Sequence, residues 1–293
     1  MNSEQSNTKA AAWMAGGIAC FLMTSVAGRA LTPPLDVFQV MVMRSLVGLV
    51  LLMPLVHRNG GFAGMRTGRP VLHIARNIVH YSGQFAWLYA LALIPLGQLI
   101  SIEFTSPIWT ALLAVTFLGE RLTRPKLTAV VLGLIGIIII VRPGVTAIQV
   151  GHLAVLAAAL FFGISLVMTK SLTRTDNVVK IIFWMLVIQS IIGLPPALMV
   201  WKNPPMELWP WIVVIGFTGS FSHYCLTRAL THADATLVAP IDFLRVPLSA
   251  LLGWLLYHEQ IDIWTASGAA LILAGNLFNL QRRTPPKIEA IPP

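Results

Sequence analysis

Ten apolar runs, each about the 20 residues needed to cross the roughly 30 Å hydrocarbon core of a bilayer, divide this chain and leave little room for any other fold. They lie near 10–31, 36–56, 71–93, 96–118, 125–142, 150–171, 178–200, 208–230, 235–257 and 261–281. Proline and glycine mark the breaks, at Thr32-Pro33-Pro34, Ile94-Pro95, Arg142-Pro143-Gly144 and Asn203-Pro204-Pro205, because proline ends or kinks a helix. Only 11% of the 293 residues are charged, against about 25% in an average soluble domain. The expected fold is an all-α integral membrane protein of ten transmembrane helices.

The net charge of +9 would point to nucleic acid if it formed a patch. Instead the basic residues sit in short clusters between apolar runs, so nucleic acid is not an expected partner and membrane topology explains them. With a cytoplasmic N-terminus, the inside segments carry Lys9, then Arg58, Arg66 and Arg69, then Arg121, Arg124 and Lys126. Further along they carry Lys170, Arg174 and Lys180, then Arg228, then Arg282, Arg283 and Lys287. The outside loops hold only Arg29, Arg142 and Lys202. By the positive-inside rule, both termini are expected in the cytoplasm of a multi-pass plasma (bacterial inner) membrane protein. The polar start, Met1 to Lys9, leads into an apolar run longer than a signal-peptide core, so a retained first helix is expected. Cys20 and Cys225 lie inside apolar runs, without the spacing of a disulfide or metal framework. No cofactor and no metal are expected.

The chain repeats itself. Ile102-Glu103-Phe104 recurs 139 positions later as Ile241-Asp242-Phe243, and Ala111-Leu112-Leu113 as Ala250-Leu251-Leu252, with Glu120 on Glu259 and Gly136 on Gly275. The start of each half aligns at an offset of 141, where Asp36-Val37 meets Asn177-Val178. Each half then holds five helices, and an odd number makes the second copy enter the membrane from the opposite side. The expected organisation is a cytoplasmic tail (1–9), a first repeat (10–143), a linker (144–149), an inverted second repeat (150–282) and a cytoplasmic tail (283–293).

Three stretches carry a resemblance: "MVMRSLVG" with Arg44, the run "YALALIPLGQLISIEFTSPIWTALLAVTFLGERLT", and "GLIGIIIIVRPG". They resemble the EamA family of the drug/metabolite transporter superfamily, over residues 10 to 282. The strongest motif, Leu118 to Thr123, has a weakened partner in Tyr257-His258-Glu259-Gln260, and Asp234-Ala235 replaces the Pro95-Leu96 turn. The resemblance implies a ten-helix transporter of small organic molecules, driven by an ion gradient or by the solute's own. The family includes amino-acid exporters, vitamin importers and metallophore exporters.

Arg44, Glu103, Asp242 and Arg245 fall inside predicted spans. At about 2.5 to 3.5 kcal/mol each, four unpaired charges would cost about 10 to 14 kcal/mol, so they must face one another or a wet cavity. They are either structural ion pairs or a solute and proton site. The third run adds a polar stripe, with His73, Asn77 and Tyr81 in one row and Arg76, His80 and Gln84 in the next. His73 and Arg76 are expected at the cytoplasmic headgroups, with His80, Tyr81 and Gln84 deeper. At the repeat offset Gln84 falls on His223. Phe104 and Phe243 directly follow the acids, and Trp109 lies just beyond. Pro107 and Pro247 interrupt the fourth and ninth runs after the acids, as candidate kinks for gating. The small-residue rows Ala129, Gly133 and Gly136, and Ala266, Ala270 and Ala274, are expected to let helices approach closely.

No HExxH, GxSxG or P-loop pattern occurs, so an enzyme is not expected. The expected substrate-binding set is Arg44, His80, Tyr81, Gln84, Glu103, Trp109, His223, Asp242 and Arg245, with Glu103 and Asp242 as candidates for proton coupling. Its slightly basic balance suits a carboxylate-bearing or zwitterionic solute. The first expectation is alternating-access export of amino-acid-like metabolites by a monomer or a homodimer in the lipid bilayer, with protons as a candidate coupling ion. The alternatives are uptake of a vitamin such as riboflavin, or a channel-like facilitator.

Overall fold

The computed structural model describes residues 7–118, 124–142, 148–232, 238, 241–260 and 262–281. The Gly119 to Thr123 part of the strongest motif, most of the 144–149 linker, Asp234-Ala235, the C-terminal tail and most of the N-terminal tail lie outside the described residues. Those described contain helices and no strand. They are α1 (Asn7–Leu31), α2 (Val37–Arg58), a single turn α3 (Gly61–Gly64), α4 (Pro70–Leu91), α5 (Leu96–Glu103) and α6 (Ser106–Leu118). Then come α7 (Arg124–Val141), α8 (Val150–Leu172), α9 (Val178–Met199), α10 (Trp209–His232), α11 (Arg245–Tyr257) and α12 (Ile263–Gln281). The fold is all-α and membrane-spanning. Helices α1, α2, α8 and α9 are each long and apolar enough to cross a bilayer. Helices α4 and α10 have the length, with 22 and 24 residues, but carry the polar stripe and its counterpart. The fourth expected run is cut at Phe104-Thr105 into α5 and α6, and the ninth turns at Phe243-Leu244.

The packing obeys the repeat. Exchanging the halves sends α1 to α8, α2 to α9, α4 to α10, α5 and α6 to the segment ending in α11, and α7 to α12. Helix α1 packs on α10 as α8 packs on α4, and α2 on α10 as α9 on α4. The pairs α2 with α9, α7 with α12, and α5 with α11 map onto themselves. The result is two groups of mixed origin, α1, α2, α10 and α11 against α4, α5, α6, α8 and α9. Helices α7 and α12 cross where Gly136 meets Gly268: a Cβ on either would stand 2.6 Å from the other's carbonyl oxygen. Ala129, Gly133 and Gly136 are buried as expected of their row. Ala266, Ala270 and Ala274 are exposed, and the packed face of α12 is instead Gly268, Ile272 and Gly275.

Side chains clasp both faces of the bundle. On one, Arg29 pairs with Glu259 and donates to the carbonyls of Leu91 (3.0 Å) and Ile94 (2.6 Å), while the Leu96 N–H donates to Glu259 (2.8 Å). Arg142 pairs with Asp262 at 2.9 Å, and Gln39 exchanges two hydrogen bonds with the Lys202 backbone. Both arginines expected in outside loops therefore pair with an acid on this face. On the other, Asp176 in the α8–α9 turn accepts from His73 (2.9 Å) and Thr67 (2.8 Å) and pairs with Lys180 at 3.1 Å. His73 is thus buried against an acid, and Arg76 donates to Thr169 and Asn77. Neither reaches headgroups, which corrects the expectation for both.

Burial alone would raise the Asp176 carboxyl, but hydrogen bonds from His73, Thr67 and Lys180 outweigh it and hold the group below the ordinary carboxylate value. A depressed folded value gives stability that is complete above the unfolded value of about 4 and is lost as pH falls through the folded one. Asp176→Asn should therefore destabilise the protein at pH 7 by about 1–3 kcal/mol. In melting curves of both proteins, the gap should close below about pH 4; a gap constant with pH would show that the charge is not what stabilises. On the opposite face, Glu259→Ala should speed hydrogen exchange of the Leu96 amide by about tenfold or more, since a hydrogen bond to a charged group contributes about 1.5–3 kcal/mol.

Candidate functional site

The two acids that open the repeat meet at one guanidinium. Arg245, on the first turn of α11, donates to Asp242 Oδ2 at 2.7 Å and to Glu103 Oε1 at 3.3 Å. Trp87 of α4 donates its indole N–H to the other Glu103 oxygen at 2.6 Å. The guanidinium lies over the rings of Phe21 (4.3 Å) and Phe104 (4.7 Å), and Phe104 meets Phe243 edge to face at 5.3 Å. Each acid stands where its span breaks, at Phe104-Thr105 and at Phe243-Leu244. Pro107 and Pro247 come two or three residues later, in the first turn of the next helix, where a missing N–H is tolerated. In the first break the Ile108 N–H bonds Thr105 rather than Phe104, and Asn276 of α12 donates to the freed Phe104 carbonyl at 2.8 Å.

A second cluster is basic. Arg44 of α2 is 8% exposed and lies against Gly219 of α10, where an added Cβ would stand 3.8 Å from its guanidinium. Among the described residues Arg44 has no hydrogen-bond partner and no carboxylate. His80 of α4 sits at 3.0 Å from Gln189 of α9 and packs on Phe162 (5.7 Å) and on His223 of α10 (5.9 Å). Gln189 Nε2 can only donate, so His80 Nδ1 accepts and its Nε2 carries the proton. His223 is exposed, yet Arg44, Arg76 and Arg245 all lie within electrostatic range of it. It therefore lies within reach of both clusters.

Seven of the nine expected binding residues are joined by contacts in these clusters. Tyr81 lies beside Arg44 with its hydroxyl buried and unpartnered, and Gln84 Oε1 is likewise buried without a partner. Trp109, on α6, stands apart: its indole N–H is buried without a partner, and none of the contacts joining the other residues includes it. Two contributors were missed, Gln189 and Asn276. Gln189 is a lone amide in its apolar run, while Asn276 shares its run with Asn279 and Gln281.

Comparison with known proteins gives this site its setting. The EamA-like transporter family matches the chain twice, over residues 8–142 and 149–281. A riboflavin transporter of Brucella anthropi is 35% identical over 245 residues, covering 80% of this chain and 85% of its own. An S-adenosylmethionine uptake transporter of Rickettsia conorii is 28% identical, covering 89% and 91%, and a pseudopaline exporter of Pseudomonas aeruginosa 28%, covering 80% and 83%. One crystal structure superposes with a TM-score of 0.67 over 95% of this chain and all of that one, at 19% identity, which speaks for the fold alone. The chain belongs to the EamA-like transporter family, as a membrane transporter of small solutes and not an enzyme.

Proposed function

We propose that the chain moves an amino-acid-like or otherwise carboxylate-bearing solute by alternating access, through the space between the two clusters. The observation that carries this reading is Arg44. An arginine buried in a membrane protein without an acid is costly unless something supplies the anion, and a solute carboxylate can do so bidentately. Arg245, by contrast, already has both acids.

The repeats 10–143 and 150–282 are the units of sequence, but the contacts point to different moving bodies. The mixed groups, α1, α2, α10 and α11 against α4, α5, α6, α8 and α9, would rock about the α2–α9 and α5–α11 seams. The Arg29–Glu259 clasp, which holds the α4–α5 turn, would be the lock that opens on one face. Charge asymmetry supports a reading in which that face is outside and the Asp176 face, with both termini, is in the cytoplasm of the plasma membrane. One guanidinium cannot neutralise two carboxylates, so a proton on Glu103 or Asp242 would remove the charge left over and couple flux to a proton gradient.

A second reading, uptake of a flavin-like vitamin, is favoured by the 35% identity to a riboflavin transporter. Counterflow in proteoliposomes separates the two, with labelled amino acids and carboxylates on one side and riboflavin on the other. A conductance without saturable counterflow would indicate a channel-like facilitator. Arg44→Leu should lower carboxylate flux about 10- to 100-fold, the loss of one charge-assisted contact of about 1.5–3 kcal/mol, with a melting temperature no lower than the wild type's, since an unpaired buried charge is removed. Flux that survives in Arg44→Leu removes the carboxylate reading. If Glu103→Gln and Asp242→Asn each leave pH-driven flux as in the wild type, proton coupling is lost as well.

A further inference from the structure

Two arginines of the bundle are held in the same way. Arg29 pairs with Glu259 and lies over the Tyr257 ring at 4.6 Å. Arg245 pairs with Glu103 and Asp242 and lies over Phe21 and Phe104. Each is a cation gripped by a carboxylate and an aromatic face together. A third place offers the acid and the rings without an arginine. Between the start of α2 and the end of α4, a cleft of about 260 Å³ is lined by residues that include Thr32, Leu35, Asp36, Phe85, Tyr89 and Leu93. Phe38, Phe85 and Tyr89 form a ladder of stacked rings, with successive centroids 4.5 Å and 6.3 Å apart. Tyr89, at the end of the ladder, is 40% exposed. Asp36 is exposed too, and caps α2 by accepting the Phe38 N–H at 2.9 Å with one oxygen. Among the described residues nothing takes its other oxygen, and no basic side chain pairs with this acid or lies over these rings.

We propose that this cleft binds a small alkylammonium group, its charge facing Asp36 and its methyl groups lying against Phe85 and Tyr89. Size selects the class: the cleft is smaller than the roughly 300 Å³ at which pockets for drug-sized ligands begin, and it suits a single head group. The backbone favours the same sign of charge. Helices α1 and α4 end at Leu31 and Leu91 beside the cleft, so the negative ends of two helix dipoles meet there, while Asp36 offsets the positive end of α2. The walls come from both mixed groups, α1 and α2 on one side and α4 on the other. An occupant therefore bridges the bodies that the alternating-access reading sets in motion. Under that reading the bound cation holds the Arg29–Glu259 face shut and slows turnover. The site itself shares no residue with the Arg44 and Arg245 clusters, and it stands whatever solute is moved.

The test uses choline and its uncharged isostere 3,3-dimethyl-1-butanol, in which carbon replaces the nitrogen and the shape is kept. Binding to the purified full-length protein in a maltoside detergent is read by saturation-transfer NMR of the methyl protons. Choline should bind about five- to tenfold tighter than the alcohol. Asp36→Asn keeps the helix cap and removes the charge, so this variant should melt as the wild type does while choline binding weakens about threefold or more. Tyr89→Leu should weaken choline about threefold, and Tyr89→Phe should not. Equal binding of choline and the alcohol overturns the site, as does choline binding that Asp36→Asn leaves unchanged. The same titration in vesicles of phosphatidylglycerol, with and without phosphatidylcholine, identifies the source of the group: competition by the added lipid assigns the site to a lipid head group, and undiminished choline binding assigns it to a free cation. In counterflow, choline should lower the maximal rate and leave KM as it was. A rate unchanged with choline bound overturns the bridging role and leaves the site, whereas absence of saturable flux for every solute class overturns the proposed function and leaves the binding result untouched.

Discussion

One guanidinium holding two carboxylates at the breaks of two helices is the constraint around which the rest is arranged. Breaking such a buried pair by removing one partner costs about 3–5 kcal/mol, so Arg245 must stay within reach of both Glu103 and Asp242. That requires α5 and α11 to lie side by side, which in turn sets the α1 and α4 residues against them: Phe21 under the guanidinium and Trp87 on the far oxygen of Glu103. The broken helices follow from the same requirement. A continuous helix would carry its acid past the partner, whereas a turn immediately after the acid ends one axis and starts another.

The repeat supplies this arrangement economically. A break at residue 104 recurs at 243, and the acid before each break meets the same guanidinium. The glycine crossing of α7 and α12 also maps onto its own elements when the halves are exchanged. Arg44, with no charged residue at the equivalent place of the second half, lies outside this symmetry.

Much of this was legible in the sequence because lipid penalises polar groups heavily. Arg44, Glu103, Asp242 and Arg245 declared themselves by their cost, and Pro33, Pro95 and Pro204 declared the helix ends. Less visible was which charges pair: nothing in the spacing tells that Arg245 takes both acids and leaves Arg44 alone, because that depends on the rotation of α2 about its axis. Gln189 and Asn276 escaped notice because an amide costs less than a charge and stands out less among apolar neighbours. Asp176 was hidden in a turn, and without it His73 reads as a surface residue. The alanine row of α12 misled for a different reason: small residues occur on both faces of that helix, and only the partner, α7, selects the glycine face.

Asn276 has one more effect. It donates to the carbonyl that the first break sets free, and the position 139 residues earlier is Ile137, which has no side-chain donor. Two identical inverted halves would make the two facing conformations mirror each other in energy, with neither preferred. Under the proposed alternation, an amide at one break and an isoleucine at the equivalent place of the other would remove that degeneracy. If the halves alternate as proposed, this hydrogen bond, which the duplication does not repeat, favours one orientation over the other.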